Sequence, residues 1–163
     1  MPFNIKPMTG NDRLPVIDIF NYYIENSFAA YPDQKVPYDF FDILLKTTEG
    51  YPTLVVADER ETVVGFGILR SYHPFSVFSK TAEISYFLKP EWTGKGLGDL
   101  MLGYLTRKAA HKGITSLLAS ISSLNPMSIR FHLKNGFLEC GRLQKIGEKH
   151  GQVFDVLYMQ KAL

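Results

Sequence analysis

Three glycines alternate in the segment KPEWTGKGLGDLM, which covers residues 89–101. Gly94, Gly96 and Gly98 lie between an apolar run with strand character at 82–88 and a stretch with helical spacing. The first N–H groups of a helix have no partner inside the helix, and the helix dipole favours negative charge there. Glycines let this backbone approach a phosphate without a Cβ in the way. The segment therefore predicts a site for a phosphate-bearing ligand.

Two well-known phosphate-binding patterns do not fit this segment. The dinucleotide fingerprint G-x-G-x-x-G would need its third glycine at Asp99 or Met101. The NTPase loop requires Ser or Thr after Gly-Lys, but Lys95 is followed by Gly96. What remains is the pattern G-x-G-x-G between a strand and a helix.

The rest of the chain supplies strands and helices that can position this segment. Periodicity and turn residues predict strands at 3–7, 53–57, 62–72, 82–88, 114–122, 136–143 and 152–160, and helices at 9–27, 41–48, 97–112 and 126–135. The last two strands are expected to flank a turn containing Gly147 and Gly151. This order predicts a mixed α/β sheet with helices on its faces, in a single domain of residues 1–163.

Composition excludes several classes of protein. A net charge of +2 without a block of like charges argues against nucleic acid as a partner. Cys140 is the only cysteine, so an internal disulfide is excluded, and we expect this residue to be small, apolar and buried. No apolar run approaches the roughly 20 residues of a membrane helix, and the N-terminus lacks the pattern of a signal peptide. We therefore expect a cytoplasmic protein.

The glycine segment resembles the pyrophosphate loop of the GNAT superfamily of N-acetyltransferases. That loop carries Gln or Arg, two residues, Gly, one residue, and then Gly or Ala. In TGKGLG (93–98) the glycines match this pattern, whereas Thr93 stands in place of the Gln or Arg. NPMSIRFHLKNGF (125–137) resembles the second cofactor segment of the superfamily, in which an Asn begins a helix and a Gly-Phe pair follows it.

Three features narrow the resemblance to the subgroup of phosphinothricin and methionine sulfoximine acetyltransferases. His132 stands where superfamily members usually carry Tyr, and His at that place is typical of the subgroup. Glu83, near the start of the strand before the glycines, stands where the subgroup carries Glu. The ending GEKHGQVFDVLYMQ (147–160) is similar to that of the subgroup. The resemblance thus covers nearly the whole chain.

The resemblance implies the GNAT fold, a predominantly antiparallel sheet with one parallel, splayed strand pair and helices on both faces. It implies transfer of an acetyl group from acetyl-CoA, without a metal, to the primary amine of a small molecule such as an amino-acid analogue. Two other functions remain open, namely acetylation of a protein N-terminus and a non-catalytic acyl-CoA-binding module. Family habit and the general frequency of two-fold symmetry also predict a homodimer.

The resemblance places the cofactor against three segments. The thioester oxygen is expected at backbone N–H groups of the strand before the glycines, the pyrophosphate at the glycine loop, and the pantetheine arm at the start of the later helix. The corresponding residues are Tyr86, Phe87 and Leu88, then Thr93, Gly94, Lys95, Gly96, Leu97 and Gly98, and then Asn125 and Ser128. Asn125 is also expected to cap its helix, because Pro126 suits the first helical position.

Two residues are candidates for proton transfer. An aliphatic amine has a pKa of about 10, so a base must remove its proton before the nitrogen can attack. Glu83 is the only carboxylate in the strand AEISYFL and is the expected base, unless it is merely a solvent-facing strand residue. His132 is the candidate acid for the leaving thiolate, but it shares a helix face with Ile129 and Leu133 and could equally be a buried, hydrogen-bonded histidine. Both roles of His132 stay open.

Acceptor binding is expected from loops near the catalytic strand. The subgroup commonly carries an Arg after a Pro-aromatic pair in the loop before that strand, which suits an amino-acid carboxylate. Here Ser76 follows the pair, so this clamp is missing unless Arg70 or Lys80 supplies the charge. Methionine sulfoximine and phosphinothricin are therefore expected to be poor acceptors. The candidate substrate-binding residues are Tyr31, His73, Phe75 and His150, and the four histidines and one cysteine are too scattered for a metal site.

Overall fold

The computed structural model describes residues 2–163 and contains a seven-stranded sheet in the order β1-β2-β3-β4-β5-β7-β6. The strands are β1 (Asn4–Lys6), β2 (Thr53–Ala57), β3 (Val63–Ser71), β4 (Thr81–Leu88), β5 (Ser116–Ser122), β6 (Leu138–Lys149) and β7 (Gln152–Ala162). Neighbouring strands in this sheet run antiparallel, except that β4 and β5 are parallel. The predicted mixed sheet is confirmed.

Four α-helices cover the two faces of the sheet. They are α1 (Arg13–Asn26), α2 (Phe40–Thr47), α3 (Leu97–His111) and α4 (Pro126–Lys134). Alternate side chains of a strand point to opposite faces, so β2 sends Leu54 and Val56 into one hydrophobic core and Val55 into the other. The first core packs against α3, and the second packs against α1 and α2.

Helix ends follow the signals in the sequence. The carboxylate of Asp12 accepts a hydrogen bond from the Thr9 N–H at 2.8 Å, ahead of α1. Asn125 caps α4 by accepting from the Ser128 N–H at 3.3 Å, and Pro126 is the first helical residue. The predicted cap of α4 is confirmed, whereas α1, whose N-cap is Asp12, has no side-chain cap.

The parallel pair β4 and β5 separates soon after it begins. Register between them extends only from Thr81↔Ser116 to Glu83↔Leu118. Beyond that point β4 continues beside β3, whereas β5 continues beside β7 up to Ser122. A gap therefore opens between the two strands from Ile84 onward, which is the splayed pair that the family resemblance implies.

Two sequence-based expectations about the end of the chain are wrong. Cys140 is exposed, because it lies on β6, the edge strand, which pairs only with β7. Gly147 does not lie in the last turn, because β6 continues to Lys149. His150 and Gly151, with φ of 51° and 73°, form the two-residue turn alone. Both values suit the mirror-image turns that hairpins favour.

The described part of the chain also bears on membrane insertion. No helix within residues 2–163 is both long enough and apolar enough to span a bilayer.

Candidate active site

The glycine loop brings the backbone of residues 93–97 to the start of α3. Gly94 and Gly96 have φ of 71° and 82°, a region that glycine enters without strain. Gly96 is the N-cap of α3, and no side chain caps this helix. A Cβ added to either glycine would meet no atom within 4 Å. The first N–H groups of α3 are thus left for a ligand, beside open space that an anion can enter.

The other residues of the loop have different roles. Gly98 allows close packing of α3 on α4, because an added Cβ would lie 3.1 Å from the ring of Phe131. Leu97 is fully buried and can offer a ligand only its backbone. The Thr93 hydroxyl donates to the Pro90 carbonyl at 2.7 Å and so closes its own turn. Gly98 thus serves helix packing, and its contact with a phosphate stays a prediction.

Lys95 supplies positive charge beside the loop. Its ammonium lies 4.9 Å from the centroid of the Trp92 ring, within the range of a cation–π contact. The Asp99 carboxylate, in the first turn of α3, is turned toward α4, where it accepts from Lys134 Nζ at 3.1 Å and Asn135 Nδ2 at 3.0 Å. The hydrogen bond from Asn135, followed by that from Lys134, lowers the pKa of Asp99. The negative charge of Asp99 is therefore paired with groups of α4 and its C-cap, and not directed at the glycine loop.

The gap between β4 and β5 forms a cleft of about 80 Å³, here called the splay cleft. Its polar wall comes from the start of α4 and from the ends of the two strands: Ser85, Tyr86, Ser120, Ser122, Asn125, Ser128 and His132. Four of the candidate cofactor residues, Tyr86, Phe87, Asn125 and Ser128, thus line the same space.

Backbone N–H groups of β4 also point toward the splay cleft. The Lys89 N–H donates to the Val64 carbonyl at 2.8 Å, so these two residues form a hydrogen-bonded pair of the β3–β4 ladder. Such pairs occur at every second residue, so Phe87 also directs its N–H to β3. Tyr86 and Leu88 direct theirs to the opposite side, where β5 has moved away. Of the three N–H groups assigned to the thioester oxygen, that of Phe87 is therefore not available.

His132 is buried, with 4% exposure, and both of its ring nitrogens are engaged. Nδ1 lies 2.7 Å from the Ser128 carbonyl oxygen, which can only accept, so this nitrogen carries the proton. Nε2 lies 2.5 Å from the Tyr86 hydroxyl and accepts from it. Burial lowers the pKa of His132, although the Ser128 hydrogen bond opposes this, and burial raises the pKa of Tyr86. A neutral imidazole holding a protonated phenol favours the buried, hydrogen-bonded role over the acid role.

This environment predicts a pH dependence of stability. The pKa of His132 is lowered in the folded state, so below the ordinary pKa of about 6.5 the unfolded chain binds a proton that the folded chain does not. The free energy of unfolding should therefore fall as the pH decreases from about 6.5 toward the lowered folded-state pKa. His132→Gln should reduce this fall, and should itself cost about 1–3 kcal/mol through lost buried hydrogen bonds.

Urea unfolding at about pH 7 and pH 5 measures this difference. His111→Gln is the matched control, because His111 is exposed near the end of α3 and should leave the pH dependence as in the wild type. An equal fall in stability for wild type and His132→Gln would contradict the assignment of a buried neutral imidazole.

A second cavity, of about 280 Å³, lies on the α1–α2 side of the sheet and is here called the Glu83 cavity. Apolar side chains from α1, α2 and β3 line part of it: Phe20, Phe40, Leu44, Phe66 and Ile68. Residues with polar groups also line it: Tyr31, Arg70, Glu83, Ser85, Ser120 and Tyr158. Glu83 therefore faces a cavity, not bulk solvent.

Glu83 is paired with Arg70, which stands directly opposite it in the β3–β4 register. Arg70 Nη2 lies 2.8 Å from Glu83 Oε2, and Nη1 donates to Ser85 Oγ at 2.9 Å. The side chains of Arg70 and Glu83 are 31% and 26% exposed. Sequence reasoning named Arg70 as a possible source of charge but not as the partner of Glu83. The alternation of Phe66, Ile68 and Arg70 along β3 is the signal that places this guanidinium on the cavity side.

The two cavities adjoin each other. Ala29, Ile84, Ser85, Phe87 and Ser120 line both of them. A molecule in the splay cleft would therefore lie next to a molecule in the Glu83 cavity.

A buried lysine that sequence reasoning missed holds one wall of the Glu83 cavity. Lys149 is 3% exposed, and its ammonium donates to the carbonyl groups of Ser27 at 2.8 Å and Ala30 at 2.7 Å. Burial lowers the pKa of Lys149, an effect that Asp33 opposes. Tyr31, the next residue of this loop, bonds its hydroxyl to Ser120 Oγ at 3.0 Å. The candidate substrate-binding residue Tyr31 is thus fixed at the cavity.

The other three candidate substrate-binding residues line neither cavity. His73 and Phe75 lie in the β3–β4 connection, beyond the strand ends, and contact each other with ring centroids 4.9 Å apart. His150 lies in the β6–β7 turn, where its ring faces Phe28 at 6.1 Å. Their role in binding the acceptor stays a prediction.

A metal centre is not indicated. Residues 2–163 contain no group of three or more His, Cys, Asp or Glu side chains placed to hold a metal ion.

The geometry of the site defines a class of protein. An uncapped helix start suited to phosphate, a cleft between splayed strands and a neighbouring cavity with a carboxylate fit an enzyme that transfers a group from a phosphate-bearing carrier to an acceptor. The model of the acetyltransferase (GNAT) family matches residues 16–137. The chain belongs to the GNAT family and is an N-acetyltransferase.

Similar proteins extend this assignment over the whole chain. The L-methionine sulfoximine/L-methionine sulfone acetyltransferase of Pseudomonas aeruginosa is 31% identical over 98% of this chain and 94% of its own length. A phosphinothricin acetyltransferase from Sinorhizobium meliloti, solved with acetyl-CoA, superimposes with a TM-score of 0.94 at 27% identity, covering 100% of this chain and 89% of that one. A ribosomal-protein-alanine N-acetyltransferase from Brucella melitensis has a TM-score of 0.91 at 31% identity, covering 98% and 99%.

Proposed function

We propose that this enzyme transfers the acetyl group of acetyl-CoA to the primary amine of a small molecule, with amino-acid analogues as the acceptor class, and that Glu83 is the general base. The observation that carries the proposal is the position of Glu83, which lines a cavity next to the splay cleft. The name of the Pseudomonas relative supports the acceptor class.

The residues present fit acetyl-CoA. The uncapped start of α3, with open space at Gly94 and Gly96, suits a pyrophosphate, and Lys95 adds positive charge. Asn125 and Ser128 offer polar contacts in the splay cleft. The N–H groups of Tyr86 and Leu88 point away from β3, and they are the donors available on that side of β4 to a thioester oxygen. When bound, acetyl-CoA supplies an acetyl group on a thiol with a pKa of about 8.5, which is a tolerable leaving group.

Glu83 accepts a proton from the acceptor's ammonium, directly or through a water, so that the nitrogen can form its bond to the acetyl carbon. The electron pair of the broken C–S bond goes to sulfur, and the second proton that the nitrogen loses goes to the resulting thiolate. His132 acts by holding the Tyr86 hydroxyl at the wall of the cleft, not by giving up a proton, since both of its nitrogens are engaged. Lys149 positions the loop that closes the Glu83 cavity.

We further propose that residues 1–163 form one domain and that the protein is a cytoplasmic homodimer. Two-fold dimers are the commonest oligomers. The edge strand β6 exposes Leu138, Leu143 and Ile146, which a partner could cover. Size-exclusion chromatography with light scattering measures the oligomeric state.

Release of thiol from acetyl-CoA, measured with a panel of amines, amino acids and N-terminal peptides, tests the proposed function. We expect release to depend on the acceptor and to match the amount of N-acetyl product found by mass spectrometry. Binding of acetyl-CoA without acceptor-dependent release from any panel member would contradict catalysis and indicate a non-catalytic acyl-CoA-binding module.

A protein N-terminus is the second candidate acceptor, favoured by the likeness to the Brucella ribosomal-protein-alanine N-acetyltransferase. The same panel separates the two functions. Faster acetylation of peptides beginning with alanine than of any free amino acid would favour this second function over the first.

A further inference from the structure

Arg70 places a second charged group in the Glu83 cavity. The proposed general base explains Glu83 but does not explain Arg70. We infer that Arg70 binds the carboxylate of an α-amino acid acceptor, and that this carboxylate replaces Glu83 on the guanidinium, freeing Glu83 to receive the acceptor's amine. The inference rests on the proposed function, and it names a specificity-determining residue within that function.

The guanidinium of Arg70 is held at the cavity by two contacts, and further N–H donors of the group remain for a ligand. Ser85 Oγ accepts from Nη1 at 2.9 Å, and Glu83 Oε2 lies 2.8 Å from Nη2. A guanidinium has five N–H donors in a planar fork that matches a carboxylate with two parallel hydrogen bonds. The hydrogen bond to Ser85 keeps the guanidinium in place when the carboxylate of the acceptor replaces that of Glu83.

The charge balance of the cavity favours a zwitterion over a simple amine. Arg70 and Glu83 neutralise each other in the absence of an acceptor. A simple ammonium would add an unpaired positive charge to a partly buried space and would compete with Arg70 for Glu83, which is unfavourable. An α-amino acid brings both charges, so its carboxylate can pair with Arg70 while its ammonium pairs with Glu83. All four charges are then paired.

The rest of the cavity indicates the kind of amino acid. Much of the lining is apolar and includes the rings of Phe20, Phe40 and Phe66. The volume of about 280 Å³ lies just below the usual range of ligand pockets, roughly 300 to 1,000 Å³, and so suits a small acceptor. These features fit a free amino acid with an apolar side chain such as methionine.

Arg70 also changes an expectation drawn from the sequence. Ser76 was the ground for expecting poor turnover of methionine sulfoximine and phosphinothricin, because no loop arginine follows the Pro-aromatic pair. Arg70 of β3 supplies a guanidinium from a different element, whereas Lys80 lines neither cavity. The absence of the loop arginine therefore no longer argues against amino-acid acceptors.

Steady-state kinetics on Arg70→Met with three acceptors that share one side chain tests the inference. The acceptors are L-methionine, L-methioninamide and 3-(methylsulfanyl)propylamine, and only the first has a carboxylate. The ratio of variant to wild-type kcat/KM is compared for each acceptor, so that differences in amine pKa cancel. We expect a loss on the order of 100-fold for L-methionine, as when one partner of a hydrogen-bonded charge pair is removed, and little or no loss for the other two.

Two further variants serve as controls. Arg142→Met removes another arginine whose carboxylate partner, Asp155 on the neighbouring strand, also lies at 2.8 Å, but this pair lines neither cavity. It should not change the ranking of the acceptors. Arg70→Lys keeps the positive charge but lacks the planar guanidinium. Its kcat/KM for L-methionine should fall less than that of Arg70→Met.

A binding measurement that needs no turnover separates this inference from the proposed function. Calorimetry without acetyl-CoA should show that L-methionine, which carries both charges, binds wild type and that Arg70→Met loses this binding. Failure of the wild type to bind it, or an equal loss of kcat/KM for all three acceptors, would overturn the inference while leaving the proposed function intact. Absence of turnover with every amine would instead overturn the proposed function.

Discussion

Gly96→Asp should abolish measurable binding of acetyl-CoA while the protein remains folded. The substitution places a carboxylate at the N-cap of α3, where the pyrophosphate is proposed to lie, and like charges at such a contact repel strongly. We expect the affinity to fall by at least about 100-fold. Isothermal titration calorimetry with acetyl-CoA measures the change directly.

The fold should survive because the position tolerates an aspartate. A Cβ at Gly96 meets no atom within 4 Å, and Asp is among the residues that can adopt a left-handed backbone such as φ of 82° at modest cost. Gly96→Asn is the matched control, since it has the same shape and backbone preference without the charge. Equal affinities of the Asp and Asn variants would show that the glycine loop does not contact the phosphates.

The sequence predicted the fold well because local signals decided most elements. The change from helical spacing to alternating strand residues after Pro52 marked the hairpin of β2 and β3, and the Asn125-Pro126 pair marked the start of α4. The glycine pattern located the proposed phosphate site, and positive φ at Gly94 and Gly96 gives that pattern a physical basis. These features depend on residues close together in the chain.

Features that depend on distant contacts were predicted poorly. Lys149 is buried because carbonyl groups of Ser27 and Ala30, more than a hundred residues away, accept from its ammonium. Cys140 was expected to be buried, but its strand forms the edge of the sheet. Whether each of these two residues is buried or exposed depends on contacts between distant parts of the chain, which no local sequence pattern encodes.

The candidate site was predicted only in part, because its contacts join residues that are distant in the sequence. Glu83 was singled out by its place in β4, yet its pairing with Arg70 follows from the register of two strands. His132 was left with two roles because its partner Tyr86 lies 46 positions away in sequence. Residues near Glu83 in the loop, such as His73, proved to lie outside both cavities.

Glu83→Gln should lower kcat by about 10²–10⁴-fold near pH 7, the contribution typical of a positioned general base. Gln keeps the shape of the side chain and can still accept a hydrogen bond from Arg70, but it cannot take the acceptor's proton. Binding of acetyl-CoA should be unchanged, because Glu83 is not among the residues lining the splay cleft. Glu139→Gln is the matched control, since Glu139 is exposed on the edge strand and lines neither cavity.

The pH dependence of kcat for wild type and Glu83→Gln tests the central claim most directly. With an acceptor whose amine has a pKa of about 10, the defect of the variant should be largest near pH 7 and should shrink toward about pH 10, because the amine then arrives already neutral. The wild type should lose less activity as the pH falls, since Glu83 still removes the proton. Superimposable profiles for the two proteins, equal in height and in shape, would contradict the assignment of Glu83 as the base.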